Sequence, residues 1–146
     1  MDFDKFSLMI KNVRVSQFAE RLKEGKIMGT RCKKCQAEFY PPQADCSSCL
    51  SDDMDWFDLP TKGILASFTQ VNVLPEYFAL PSLSIPFGKA SIKASPVGIL
   101  EVKEGVRVMG WIPKRSENDL KVGETMRAEP FELDDGRLTI VLKKIE

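Results

Sequence analysis

The chain has 146 residues, 43% of them hydrophobic and 29% charged, and its 21 Lys and Arg are offset by 21 Asp and Glu. Such a composition fits one globular domain, or a small domain with a shorter appendage. The balanced charge removes a uniform basic field as an argument for nucleic-acid binding. There is no histidine, which excludes Ser-His-Asp and Cys-His catalysis, His-ligated metal and the commonest general base. Any metal must be held by Cys or carboxylate.

The opening MDFDKFSLMIKNVR mixes both charges and lacks a clean apolar core, so no secretory signal is expected. No stretch approaches the ~18 apolar residues of a membrane span. A soluble cytoplasmic protein with no membrane association is the expectation. Phe3, Phe6, Ile10 and Val13 recur at helical spacing and predict one amphipathic helix. A second is predicted with Ser16 as N-cap, Phe18 and Leu22 on one face, and Gly25 as C-terminal stop. This face packs on the rest of the chain or docks on a partner subunit.

All four cysteines fall between positions 32 and 49, whereas a secreted disulfide scaffold spreads them along the chain. Cys32-Lys-Lys-Cys35 and Cys46-Ser-Ser-Cys49 are two CxxC turns separated by ten residues. Each turn lets two sulfurs face one point, and two turns complete a tetrahedron at about 2.3 Å Zn–S. Four thiolates saturate the ion, so one structural zinc is expected, with no open position for a catalytic water. The metal would order a segment too short to build its own core. Iron in a rubredoxin-like site is the main rival, and paired redox CxxC motifs lack the strand-then-helix setting they need. Lys26, Arg31, Lys33 and Lys34 crowd the first knuckle, and Asp45, Asp52, Asp53, Asp55 and Asp58 the second. The cations either offset the thiolate charge or form a phosphate-attracting patch.

From about residue 61 the apolar period becomes two. Gly63 to Val73 alternates, with Ile64, Ala66 and Phe68 on one side and Leu65, Ser67 and Thr69 on the other. Pro96 to Val102 and Val106 to Ile112 flank a Glu104-Gly105 turn, and Thr125 to Leu133 and Arg137 to Lys144 flank Asp134-Asp135-Gly136. About five strands with short turns predict a small closed barrel. Leu74 to Gly88 interrupts them with three prolines and three aromatics around one charge, Glu76. Proline excludes a regular central strand there, so this loop covers a barrel end or waits for a partner. The chain is thus mainly β with N-terminal helices. It divides into a helical arm (residues 1–30), a four-Cys zinc ribbon (31–59) and a five-stranded OB-fold barrel (60–146).

In that order the sequence resembles the DUF35 family, a rubredoxin-like zinc ribbon joined to an OB-fold. The resemblance rests on FAERLKEGKIMGTRCKKC, FYPPQADCSSC, KGILASFTQV, PVGILEVKEGVRVMGWI and LKVGETMRAE, covering most of Phe18 to Glu129. Gln36 stands where the family usually has Gly, and Ser47 where Pro is common. The resemblance implies a non-catalytic accessory or scaffold subunit of a thiolase-superfamily complex acting on acyl-CoA thioesters. Such a subunit packs on the thiolase-fold enzyme in a hetero-oligomer and helps enclose the CoA. The family reaches to degradative thiolases of anaerobic aromatic breakdown, such as benzoylsuccinyl-CoA thiolase with its small zinc subunit.

The residues agree that this chain does not run thiolase chemistry alone, since it has no histidine and its cysteines are committed to metal. CoA calls for stacking aromatics and a few cations. Trp111 with Lys114 and Arg115, and Phe87 with Lys89, are the candidates, against a reading as half-buried barrel aromatics and solvated charges. Tyr77 and Phe78 in the aromatic loop are the candidates for partner contact. The alternative is a single-stranded nucleic-acid-binding module. It is disfavoured because residues 61–146 hold twelve Lys and Arg against eleven Asp and Glu, with no basic run among aromatics. A free-standing enzyme has no recognisable nucleophile elbow or phosphate loop to support it.

Overall fold

The structure is a computed structural model and describes residues 15–72, 95–113, 115–132 and 136–145. Helix α1 (Val15–Lys23) turns Leu22 fully and Phe18 partly toward the core, as the three-to-four spacing requires. Val15 is already helical, so Ser16 lies in the first turn and not at the cap. The other end is as predicted. Gly25 adopts φ 81°, its N–H donates to the Leu22 carbonyl, and the Lys26 N–H donates to that of Arg21. These paired bonds close a helix through a left-handed glycine. The helix expected from Phe3, Phe6, Ile10 and Val13 lies outside the described residues, as does the loop from Leu74 to Gly88.

A small antiparallel sheet follows, with β1 (Met28–Cys32) between β2 (Glu38–Phe39) and β3 (Met54–Asp58). Gly29 is needed at its centre, because a Cβ there would stand 2.8 Å from the Phe39 carbonyl oxygen and 2.9 Å from the Phe57 ring. Buried Thr30 holds the following segment under the sheet. Its hydroxyl donates to the Gln43 carbonyl (3.1 Å) and accepts the Gln43 N–H (2.9 Å).

Strands β4 (Lys62–Val71), β5 (Ser95–Lys103), β6 (Val106–Trp111), β7 (Thr125–Glu132) and β8 (Leu138–Lys144) form a closed barrel in the order β4-β5-β6-β8-β7. This is the expected five-stranded, OB-like barrel. Strand β4 closes it by pairing with β5 along most of its length and with β7 through Lys62–Ile64. The crossing demands Gly63, where a Cβ would lie 2.3 Å from the Glu101 carbonyl oxygen. Glu104-Gly105 is the two-residue turn between β5 and β6, with Gly105 at φ 74°. No helix among the described residues is long and apolar enough to cross a membrane.

The faces of β4 differ from the simple alternation. Leu65 is fully buried, Ile64 and Ser67 are exposed, and Phe68 packs on the core. A β-bulge between Leu65 and Ser67 inserts Ala66 and shifts the phase, so Leu65 and Phe68 share the inner face. Inside the barrel, Leu65, Leu100, Val108, Ile112, Met126, Ala128 and Leu142 are almost wholly removed from water. Gly98 and Gly110 face each other across β5 and β6. A Cβ on Gly98 would stand 2.8 Å from Leu65 and 2.9 Å from Ile112. Leu22, Ile27 and Leu59 join the same cluster, so the helix and the base of the ribbon rest on the barrel core.

Candidate metal centre

The two CxxC turns repeat one backbone design. In the first, Cys32 N–H donates to the Ala37 carbonyl and Gln36 N–H to that of Cys32. In the second, Cys46 N–H donates to the Ser51 carbonyl and Leu50 N–H to that of Cys46. The residue after each second cysteine takes the left-handed conformation, Gln36 at φ 64° and Leu50 at φ 59°. This turn brings backbone N–H groups round to the sulfurs. Cys32 Sγ accepts from Cys35 and Lys34, Cys35 Sγ from Ala37, Cys46 Sγ from Cys49 and Ser48, and Cys49 Sγ from Ser51.

The four sulfurs lie within 4.8 Å of one another. Cys32 and Cys49 Sγ are 3.5 Å apart, and Cys35 and Cys46 Sγ 3.4 Å. A tetrahedron with bonds of about 2.3 Å has edges of about 3.8 Å, so the cage fits one ion. Electrostatics point the same way. Burial opposes ionisation of Cys46, but the Cys49 and Ser48 amides outweigh it and bring the thiol down to about 6. At Cys49 the Ser51 amide favours the thiolate, yet burial and the three neighbouring sulfurs push the thiol up to about 12. Four thiolates cannot share this space without a cation to neutralise them.

Most of the surrounding cations are already paired. Lys33 Nζ lies 3.2 Å from Asp53, and Lys26 Nζ 3.9 Å from Asp58. Arg31 stacks over the Phe57 ring at 4.9 Å and gives both Nε and Nη2 to Glu38 Oε1. Glu38 Oε2 accepts Lys103 Nζ at 2.6 Å. That bond ties the ribbon to the β5–β6 hairpin of the barrel, and the Lys103 ammonium, with Arg31, holds the Glu38 carboxyl below its ordinary range against the cost of burial. A phosphate-attracting patch loses three of its four cations to these pairs.

Comparison with known proteins fits this geometry. Residues 19–55 match the model of the ChsH2 rubredoxin-like zinc ribbon domain. One chain of an Ltp2–ChsH2 (DUF35) aldolase superposes with a TM-score of 0.71 at 19% identity, over 90% of this chain and 96% of that one. The chain is similar to DUF35 proteins in its ribbon sequence and in its fold. A DUF35-family structure of unknown function from Sulfolobus solfataricus has a TM-score of 0.55 at 18% identity, over 89% of this chain and 84% of the other. A DUF35 domain-containing scaffold protein of Methanocaldococcus jannaschii is 26% identical over 105 residues, 70% of this chain. That match spans 65% of the relative's own length. In this rubredoxin-like ribbon the metal held by Cys32, Cys35, Cys46 and Cys49 is zinc.

Of the residues selected for CoA, Trp111 and Arg115 fall among the described ones. Phe87, Lys89 and Lys114 lie outside them, as do Tyr77 and Phe78. Trp111 is half-buried at the end of β6, opposite Val97 on β5 and Val141 on β8. The guanidinium of Arg115 is engaged inside the protein. Its Nη1 bonds both oxygens of Glu124 at 2.8 and 2.9 Å, and its Nη2 bonds the Asp119 carbonyl. A shallow cleft of about 510 Å³ opens elsewhere, over Gly63, Ile64, Ala66 and Glu101 to Glu104, where the bulges of β4 and β5 meet. Sequence reading missed Glu38 as the bridge between ribbon and barrel. It also passed over the left-handed Leu50, although the same position in the first knuckle, Gln36, already stood out as a usual glycine.

Proposed function

We propose that this chain is a non-catalytic accessory subunit of a cytoplasmic hetero-oligomer, holding a thiolase-superfamily enzyme that acts on acyl-CoA thioesters. The observation that carries the reading is chemical. Every cysteine of the chain belongs to one metal cage, and there is no histidine to serve as base. A saturated tetrathiolate offers no open coordination position, so the zinc shapes the ribbon and leaves the chemistry to another subunit. The relative named as a scaffold protein supports the same role.

Within this reading Trp111 offers a stacking face for the adenine of CoA, with Phe87, Lys89 and Lys114 as the other candidate contacts. Arg115 would have to leave Glu124 to reach a phosphate. Tyr77 and Phe78 remain the first choice for contact with the enzyme. The test is purification of the untagged complex from native cells, with zinc measured on the same sample. A thiolase-fold subunit recovered with one zinc per chain is the expected result. Recovery of nucleic acid in its place would support the single-stranded nucleic-acid module and overturn the subunit reading.

A further inference from the structure

The outer wall of the barrel holds an arrangement that strand pairing ordinarily avoids. Arg127 on β7 stands directly opposite Lys62 on β4 and directly opposite Lys143 on β8. Its neighbours along β7, Met126 and Ala128, are buried in the core, so Arg127 and both cross-strand partners point outward. Strands lie about 4.8 Å apart, which sets three cationic side chains in one row about 10 Å long. Like charges in opposite positions repel and weaken a sheet. Lys143 is matched by Glu129 at 2.5 Å, but Lys62 and Arg127 are exposed and form no ion pair among the described residues. Close by, the carboxylate of Glu124 is already shared between Arg115 and Lys144. A chain of zero net charge is not driven to this row by its composition.

An aromatic face lies beside the row. Trp111 pairs with Val141 on β8, two residues before Lys143, so the half-buried indole and the Lys143 side chain share the outer wall. Such diagonal neighbours stand about 8 Å apart. We infer that this wall binds the adenosine diphosphate part of CoA, with the adenine on Trp111 and the phosphates along Lys143, Arg127 and Lys62. The inference rests on the acyl-CoA reading and adds the phosphate contacts, which Arg115, bonded to Glu124, does not supply. Phosphates laid against the row turn a repulsive arrangement into a satisfied one. The guanidinium at its centre offers the paired donors that phosphate oxygens accept. Stacking of a base on an indole needs no closed pocket. The row stops after three strands, and the next outward position along β7 is the acid Glu129. It therefore matches a short run of phosphates rather than a polynucleotide backbone.

The test separates binding from folding. The zinc-loaded full-length chain is titrated with CoA at low salt by calorimetry, as wild type, Arg127→Gln, Lys62→Gln and, as a control on the ribbon, Lys33→Gln. Arg127→Gln should weaken CoA roughly tenfold or more, and Lys62→Gln several-fold. The Tm of both should equal or exceed that of wild type, because opposed charge has been removed. Lys33→Gln should leave the affinity unchanged, and added salt should weaken wild type more than Arg127→Gln. Inorganic pyrophosphate, which lacks the base, should bind wild type roughly tenfold or more weakly than CoA. Equal affinity of wild type and both row variants for CoA overturns the site, as does absence of CoA binding by wild type. Either result leaves the accessory-subunit reading to be decided by co-purification of the enzyme. Pyrophosphate binding as tightly as CoA refutes the nucleotide and reduces the row to a general anion patch. Tighter binding of an oligodeoxynucleotide than of CoA, lost in Arg127→Gln, assigns the wall to nucleic acid and refutes the proposal. A lower Tm for both row variants also overturns it, since the cations would then serve the fold.

Discussion

The ribbon and the barrel are held together by different means. Around the metal cage, Cys32, Cys46 and Met54 alone among the described residues form a buried cluster, with Ala37, Phe39 and Cys49 at its margin. The barrel side gathers thirteen of the described residues into one buried core. So few apolar side chains cannot offset the chain entropy of some twenty ordered residues, and the zinc supplies what the ribbon's core lacks. The barrel needs no such help. The lesson is that metal and core are interchangeable sources of order, and that this chain uses one in each half.

The largest way to break that contrast is to remove the metal. Cys32→Ser, or excess chelator, should release zinc and lose several kcal/mol of ribbon stability, because apparent zinc affinities of about 10–16 kcal/mol are folding energy in such sites. Hydrogen exchange should then lose protection over residues 32–54 and keep it in β6 and β8. Uniform loss across the chain would show that the barrel also depends on the ion. The converse variant is Gly63→Ala. Its Cβ would meet the Glu101 backbone at 2.3 Å, so the barrel should lose about 3 kcal/mol in chemical denaturation while zinc stoichiometry holds.

A smaller effect is expected at the bridge between the halves. Glu38→Gln removes the charge that Lys103 and Arg31 share, and with both cations half-exposed the cost is about 1 kcal/mol at neutral pH. The folded Glu38 carboxyl titrates below its unfolded value of ~4.3. Its contribution is therefore complete above that value and lost as pH falls through the lower folded one. Thermal melts from pH 6 to pH 3 should show a steeper acid decline for wild type than for Glu38→Gln. The smallest change is Gln36→Gly, which relieves φ 64° but gives up the bond to Lys33. A net gain of about 0.5 kcal/mol, read from the denaturation midpoint, is expected.

The sequence was legible where one residue type answers to one physical demand. Four cysteines at CxxC spacing have few uses, and Gly25 and Gly105 mark backbone that other residues take only under strain. Legibility failed where neighbours are alike. Ile64, Leu65 and Ala66 are all apolar, so nothing in their order tells which is the bulge, and only the closure of β4 on both β5 and β7 decides it. Glu38 and Lys103 lie 65 positions apart, and a surface charge gives no sign of its partner until the fold brings the two together. Leu50 failed for another reason. Read as composition it is one more aliphatic residue, and its significance comes from a dihedral angle.

The facing glycines at 98 and 110 carry a consequence for what kind of object the barrel is. With Leu65 and Ile112 already within 3 Å of where a single added methyl would sit, this part of the interior has no lumen to fill. A guest the size of an acyl chain finds no room among these side chains. The barrel is a strut rather than a vessel, incompressible because its own side chains already fill it.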